Sequence, residues 1–422
     1  MKFYIYTLGC KVNTYESNVI KDKLINSGYV YSDVDSADIY IINTCTVTNT
    51  SDNKSLKTIR QVLRNHKDAI IVVVGCMSQV NYKLLSDLDL SIILGNSGKS
   101  KIVSYIEKYK KDGKKIIDIE DIMEKPFEDM CLNNFSKTRA YVKIEDGCEN
   151  YCTYCIIPYA RGRVRSKQID VCINEIKDLV KAGHKEIVLT GIHTGHYGSD
   201  INSNLSTLIK EIENIKGLER LRISSIEITE LTDEFLSVLS SSKILVDHMH
   251  IPLQSGSNEI LKLMNRKYDK EYFIDKINKI RNIRSDISIT TDVIVGFPGE
   301  TDELFNETIE TINKIKFSKI HVFPFSLRKG TKAEELPNHI DDVTKKSRVK
   351  KLLEISKNLE IEYFNKFLGK EVTFLPEVYK DGFIKGHTGN YLLVKMKGTI
   401  EDLNILKTVK VEKIEYPYVI GK

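Results

Sequence analysis

The chain has 422 residues, 41% of them hydrophobic and 29% charged, with a formal net charge of +5. That is more chain than one ordinary core serves, so two or three domains are expected. No apolar run approaches the roughly 20 residues that span a bilayer, and the mildly basic balance permits a nucleic-acid partner without requiring one. The opening Met1–Tyr6 turns polar at once and lacks the layout of a signal peptide. A cytoplasmic location is therefore expected, with no membrane partner, where the eight cysteines serve metals or catalysis rather than disulfides.

From the amino terminus, Lys2–Thr7 reads as a strand, Tyr15–Ser27 as a helix and Ile39–Ile42 as a strand. Asp52–Asn65 follows as a helix and Ile70–Val74 as a strand. This alternation predicts an open parallel α/β sheet over a first domain, residues 1–118. Cys10, Cys45 and Cys76 each follow one of the three strands closely. In such sheets ligands gather outside the carboxyl ends of the strands. The three thiols would then converge, either as a three-thiolate iron–sulfur site or as ordinary buried cysteines. Cys131 and Cys172 match neither pattern and read as linker or packing residues.

A charged stretch, Glu120–Lys137, reads as a linker into a second domain, residues 134–368. Strands are expected at Ala140–Glu145, Glu186–Leu189, Arg220–Ser224, Val246–Ile251, Ser288–Val295 and Lys319–Phe323, with room for a helix between each pair. Six such units fall short of the eight that close a full barrel. A laterally open (β/α)6 barrel follows, suited to a bulky substrate. Its first loop carries Cys148, Cys152 and Cys155 in a CxxxCxxC run. Three thiolates on one short loop can hold three irons of a 4Fe–4S cube and leave the fourth open. A zinc site prefers paired CxxC motifs; there is no second pair, and His184 and His193 are too loosely placed for a finger. A metal site of another kind is the alternative. The run Arg161-Gly162-Arg163-Val164-Arg165 could grip phosphates or a carboxylate bidentately, or be an exposed charged loop.

Asp341–Lys370 reads as an amphipathic helix with Leu352, Leu353, Ile355, Leu359 and Ile361 as its apolar stripe. Residues 369–422 then read as a small β-barrel. Strands are expected at Val372–Pro376, Tyr391–Lys397 and Thr408–Ile414, with turns at Gly382, Gly386, Gly389 and Gly398. Lys380, Lys385, His387, Tyr391, Lys395 and Lys397 mix basic and aromatic groups, as a nucleic-acid surface or a solvated face would.

Taken together, these motifs resemble the radical S-adenosylmethionine methylthiotransferases. The cluster loop is joined by the opening Thr7-Leu8-Gly9-Cys10-Lys11-Val12-Asn13-Thr14-Tyr15-Glu16-Ser17, by Asn43-Thr44-Cys45 and by Val74-Gly75-Cys76. The barrel adds His250-Ile251-Pro252-Leu253-Gln254-Ser255-Gly256 and Gly296-Phe297-Pro298-Gly299-Glu300-Thr301. The resemblance covers essentially the whole chain, with the C-terminal barrel similar to a TRAM domain. The Gly-Cys-Lys-Val-Asn start and His321–Arg328 resemble the branch acting on N6-threonylcarbamoyladenosine beside the tRNA anticodon. The isopentenyladenosine branch usually reads Gly-Cys-Gln-Met-Asn, and the branch modifying a ribosomal-protein aspartate reads Gly-Cys-Pro-Lys-Asn.

The resemblance implies two 4Fe–4S clusters, one on Cys148, Cys152 and Cys155 and one on Cys10, Cys45 and Cys76. It implies S-adenosyl-L-methionine on the open iron of the first, cleaved to a radical that takes a hydrogen from the adenine ring. The second would hold the sulfur to be inserted. Tyr154 would lie near the adenine of the cofactor, Gln254 would hydrogen-bond it, and Gly296 and Gly299 would allow its close approach or simply make turns. No catalytic residue is implied beyond the cluster ligands. The implied partners are a tRNA substrate and an electron donor such as a flavodoxin or ferredoxin. The alternatives are the isopentenyl or ribosomal-protein branches, and a non-catalytic iron–sulfur protein that binds RNA or senses redox state.

Overall fold

A computed structural model describes residues 1–422. The first layer comprises β1 (Lys2–Thr7), α1 (Lys11–Asn26), β2 (Val30–Tyr31), β3 (Ile39–Thr44), α2 (Asn49–Asn65), β4 (Ile70–Gly75), α3 (Cys76–Ser86), β5 (Ile92–Leu94), α4 (Ile102–Asp112) and β6 (Ile116–Asp118). The six strands are all parallel, in the order β2-β1-β3-β4-β5-β6. Helices cover both faces, so the central strands read as unbroken apolar runs. Ile39, Ile41, Val72 and Val74 pack on one face with Ile20 and Leu24 of α1. Tyr40, Ile42, Ile71 and Val73 pack on the other with Ile59 and Val62 of α2.

Residues 119–138 contain no regular element, yet they are not a loose linker. Met130, Leu132 and Phe135 are buried in the core of the next domain. The Tyr15 hydroxyl donates to the Met130 carbonyl at 2.7 Å. This segment straps the sheet to the barrel, a role its charged composition conceals.

The middle of the chain continues with β7 (Arg139–Lys143), β8 (Glu145–Asp146), α5 (Ile157–Arg161), β9 (Arg165–Ser166), α6 (Ile169–Lys181), β10 (Glu186–Thr190), α7 (Leu205–Ile212), β11 (Arg220–Ile223) and α8 (Asp233–Ser241). It closes with β12 (His248–His250), α9 (Asn258–Leu263), α10 (Lys270–Ile283), β13 (Ser288–Val295), α11 (Asp302–Ile315) and β14 (Lys319–Pro324). Strands β7, β10 and β11 form one parallel sheet and β12, β13 and β14 another. A parallel bridge between Leu221 and Leu245 joins them. The six strands thus make a partial barrel, and β14 does not pair with β7.

Helix α12 (Asp342–Asn365) is capped by Asp341, whose Oδ1 accepts the Val343 and Thr344 N–H groups. Leu352 and Leu359 turn into the barrel core, while Tyr363 and Phe364 reach the core of the last domain. Leu353, expected in the apolar stripe, is exposed instead, one residue and about 100° around the helix from Leu352.

The C-terminal unit has five strands rather than three: β15 (Glu371–Lys380), β16 (Phe383–Thr388), β17 (Leu393–Lys397), β18 (Lys407–Glu415) and β19 (Tyr418–Gly421), closed as β15-β16-β17-β19-β18. Gly386 is not a turn residue. It sits inside β16 against Leu375 and Pro376, where a side chain would strike the Leu375 carbonyl. No helix of the chain is long and apolar enough to cross a membrane.

Candidate active site

The first three-cysteine group forms at the carboxyl ends of β1, β3 and β4. Cys10 caps α1, Cys45 follows β3 directly, and Cys76 opens α3. Cys45 and Cys76 are buried and Cys10 is exposed. Their convergence depends on Gly9, whose φ is +99°; a Cβ there would lie 2.7 Å from Cys45 Cβ and 2.9 Å from its Sγ. The asparagines of the opening motif brace the site. Asn13 Nδ2 donates to the carbonyls of Leu8 at 2.7 Å and Thr44 at 2.9 Å, tying two strand ends together. Asn43 Nδ2 donates to the Asn13 carbonyl at 3.0 Å and to Ser17 Oγ at 3.1 Å.

The arginine run matches neither sequence expectation. Arg161 is fully buried and Arg165 nearly so, and only Arg163 is exposed. Arg161 Nε donates to Cys76 Sγ at 3.2 Å, Nη2 to Asn13 Oδ1 at 2.7 Å, and Nη1 to Glu16 Oε1 at 2.6 Å and to Asp146 at 3.2 Å. Lys99 and Lys143 complete this network on Glu16, at 2.5 and 2.8 Å. Burial opposes ionisation of Glu16, but Arg161, Lys143 and Lys99 together hold its carboxyl well below the usual range. Four buried cations, Arg161, Arg165, Lys99 and Lys143, thus face two carboxylates, Glu16 and Asp146, beside Cys76. The surplus positive charge fits an anionic, thiolate-bound group there.

Sequence reading missed this network, although one signal was present: Glu16 lies on the same face of α1 as the buried Val12, Val19 and Ile20.

The second group lies on the loop between β8 and α5. The Cys148 N–H donates to the Gly162 carbonyl at 3.0 Å, the Thr153 N–H to the Met264 carbonyl at 3.1 Å, and Thr153 Oγ1 to the Leu263 carbonyl at 2.8 Å. The loop is therefore clamped between α5 and the end of α9. All three cysteine residues are half-buried. Burial pushes the Cys155 thiol up to about 12, and Cys152 adds to the rise. Burial raises Cys148 further, with Cys155 and Cys152 again contributing. Thiols so crowded ionise together only against a strong cation, and a coordinated metal supplies one. Arg266, a residue the sequence did not single out, donates from Nη1 to Cys152 Sγ at 3.2 Å and pairs with Glu227 at 2.7 Å. His193 Nδ1 stands 3.7 Å from Cys148 Sγ, and the backbone N–H of His193 is held by Glu145 Oε2 at 2.7 Å.

Tyr154 turns into the apolar group around Ile260, Met264 and Phe297, its ring edge-on to Phe297 at 6.3 Å. Gln254 has φ +65° and joins β13 through its backbone, donating to the Asp292 carbonyl and accepting from the Ile294 N–H, both at 2.9 Å. Gly296 and Gly299 both have positive φ in the β13–α11 turn. The Gly296 N–H donates to Glu300 Oε2 at 2.6 Å, which Arg348 holds at 2.8 Å, and the Gly299 N–H donates to the Asn338 carbonyl at 2.9 Å. Cys172 is buried in α6 and Cys131 is exposed in the strap, apart from both groups.

The segment after β14 docks the barrel on the N-terminal sheet. Arg328 pairs with Asp52 at 2.8 Å and donates to Thr46 Oγ1 at 2.7 Å and Asn49 Oδ1 at 2.9 Å, next to Cys45. Arg328→Ala is expected to cost about 2 kcal/mol, read as a thermal-melting shift of a few degrees. An unchanged melting temperature would show that this contact does not hold the two layers together.

A polar cavity of about 490 Å³ lies between β12–β14, the first residue of α1 and the C-terminal barrel. His387 and Tyr391 line it. Lys385 and Lys395 instead lie over the rings of Tyr418 and Phe383, at 4.9 and 4.5 Å.

A partial parallel barrel with a three-cysteine first loop defines a radical S-adenosylmethionine enzyme, and residues 142–312 match the model of that superfamily. Residues 2–95 match a second model, described as the uncharacterized protein family UPF0004. The chain is 42% identical to the threonylcarbamoyladenosine tRNA methylthiotransferase MtaB of Bacillus subtilis, over 99% of this chain and 95% of that one. It is 39% identical to MtaB of Thermotoga maritima over 92% and 89%, and 35% identical to the tRNA-2-methylthio-N(6)-dimethylallyladenosine synthase of Clostridium tetani over 97% and 94%. The chain belongs to the radical S-adenosylmethionine tRNA methylthiotransferase family. Among solved structures, the radical methyltransferase TsrM of Kitasatospora setae shares the fold, with a TM-score of 0.57 at 14% identity over 76% of this chain and 72% of that one.

Proposed function

We propose that this protein converts N6-threonylcarbamoyladenosine in tRNA to its 2-methylthio derivative. The observation that carries this reading is the joining of two three-cysteine groups by one buried side chain. Arg161 touches Cys76 directly and, through Asp146, anchors the start of the Cys148 loop. A single cluster would suffice for cofactor cleavage; a second thiolate site beside it serves the inserted sulfur. The threonylcarbamoyl branch is the reading that the MtaB relatives support.

Cys148, Cys152 and Cys155 would hold the 4Fe–4S cluster that binds S-adenosylmethionine, and Cys10, Cys45 and Cys76 a second one. When bound, these groups supply homolytic chemistry, which an aromatic C–H bond needs because no side-chain acid or base can ionise it. The chain's own residues position and insulate. Tyr154, Gln254, Gly296 and Gly299 would shape the cofactor's seat, and Arg266 would hold the charge on Cys152. A flavodoxin or ferredoxin in the cytoplasm would deliver the electron.

Nucleoside mass spectrometry of tRNA from cells with and without the gene tests this. The expected result is loss of 2-methylthio-N6-threonylcarbamoyladenosine with accumulation of its unthiolated precursor. An unchanged nucleoside would overturn the substrate assignment and turn attention to the isopentenyl nucleoside and the ribosomal aspartate.

A further inference from the structure

The cavity under the C-terminal barrel has one lysine on its wall that no carboxylate of the protein matches. Lys11, the residue after Cys10, lines it. The other polar groups of its wall that could match or compete have partners: Lys319 with Glu360 at 3.0 Å, His250 with Asp292 at 3.2 Å and His387 with Glu377 at 2.7 Å. His321, whose ring lies 5.7 Å from that of His250, is kept toward its neutral form by burial. Two arginines behind the wall residue Tyr391 have carboxylate partners, Arg139 in Glu377 at 3.1 Å, which it shares with His387, and Arg222 in Glu186 at 2.8 Å. Lys11 has neither an ion pair nor a side-chain hydrogen bond, and it is only half-exposed. A second polar atom also has no partner. His248 is buried, its Nε2 is shared with Thr290 Oγ1 at 3.1 Å, and its Nδ1 has no partner. A half-buried ammonium and an orphaned imidazole nitrogen on one cavity wall call for an anionic, hydrogen-bonding ligand.

Resting on the substrate reading above, we propose that Lys11 is a specificity-determining residue that pairs with the carboxylate of the threonylcarbamoyl side chain in this cavity. His248 lies on the same wall as a second polar contact. The carboxylate is the group that separates this nucleoside from one carrying a neutral alkenyl substituent. A neutral substituent would leave the Lys11 ammonium unpaired, so the cavity selects against it as well as for the acid. The volume falls within the roughly 300–1,000 Å³ of sites that enclose small ligands.

The test uses the full-length protein and three anticodon stem–loop RNAs. One carries threonylcarbamoyladenosine, one its methyl ester, and one unmodified adenosine. Dissociation constants are measured for the wild type, Lys11→Gln and Lys11→Arg. The wild type is expected to prefer the acid over the ester by about tenfold to a hundredfold, the span of a charge-assisted hydrogen bond. Lys11→Gln should lose that preference while binding the unmodified RNA as the wild type does, and Lys11→Arg should keep most of it. Acid–ester discrimination that survives in Lys11→Gln would overturn the proposal. Equal weakening toward all three RNAs would also overturn it, by making Lys11 a phosphate contact. Turnover separates this from the parent reading. A wild type that methylthiolates the acid-bearing RNA without discriminating acid from ester sinks the Lys11 assignment alone, whereas no methylthiolation of that RNA sinks the substrate reading.

Discussion

Arg161→Met is expected to destabilise the protein by about 3 kcal/mol near neutral pH and by less as the solution is acidified. Arg161 is fully buried and serves Glu16, Asp146, Asn13 and Cys76 at once. A methionine fills the volume but leaves Glu16 and Asp146 with only the neighbouring lysines and Arg165. The loss therefore belongs at the lower end of the range for breaking a buried ion pair, roughly 3–5 kcal/mol. Against a total stability of about 5–15 kcal/mol, that is a large fraction. The pH dependence has a definite sign. The network holds the Glu16 and Asp146 carboxyls below their ordinary values despite burial. Their contribution is therefore fully present above the unfolded carboxylate range, near pH 4, and is lost as pH falls through the lowered folded values. Without Arg161 those folded values rise, so the variant has less of this contribution to lose and its deficit against the wild type shrinks as pH falls. Thermal melts of the two proteins between pH 7 and pH 3 check this. A gap that stays constant rather than narrowing toward acid would show that the guanidinium is not what holds the carboxylates ionised. Arg161→Lys is the companion variant. It keeps the charge but not the planar fork, so it should recover the acid behaviour while leaving Cys76 without its N–H donor.

The difference between what was legible in the sequence and what was not follows from length and from distance along the chain. The strands with long apolar runs, such as Ile39–Thr44 and Ser288–Val295, announce themselves by composition. Val30–Tyr31, Ile92–Leu94 and Ile116–Asp118 are two or three residues long, too short to show any period. The Cys148 loop is local and could be read directly. The convergence of Cys10, Cys45 and Cys76 needed only the rule that ligands sit at strand carboxyl ends. The arginine run misled because Arg161 meets its partners 145 residues away in Glu16 and 85 away in Cys76, and nothing local marks such a residue as buried. Lys11 shows the same limit in another form. The sequence marks it as part of a motif that resembles one substrate branch, but its lack of a counter-ion exists only once the cavity wall is assembled.

The two cysteine groups sit on different kinds of support, and that makes their contributions separable. The Cys148 loop is clamped locally by Gly162, Leu263 and Met264, whereas the other group depends on three strand ends braced by Asn13 and Asn43. Removing one set of thiols should therefore leave the other folded. In protein reconstituted with iron and sulfide, Cys10→Ala/Cys45→Ala/Cys76→Ala is expected to retain about four irons of about eight. It should still release 5′-deoxyadenosine from S-adenosylmethionine on reduction, yet form no methylthiolated nucleoside. Cys148→Ala/Cys152→Ala/Cys155→Ala should also retain about four irons, with neither product formed. Iron content, cluster absorbance and product analysis on the same preparations read all of this. Full iron in the first variant would mean that the strand-end cysteines hold no cluster. Methylthiolation by the first variant would mean that the inserted sulfur does not pass through that site. Deoxyadenosine release by the second would place cofactor cleavage somewhere other than the Cys148 loop. Only the crossed pattern, cleavage without insertion in one variant and neither in the other, is compatible with two clusters of divided labour joined through Arg161.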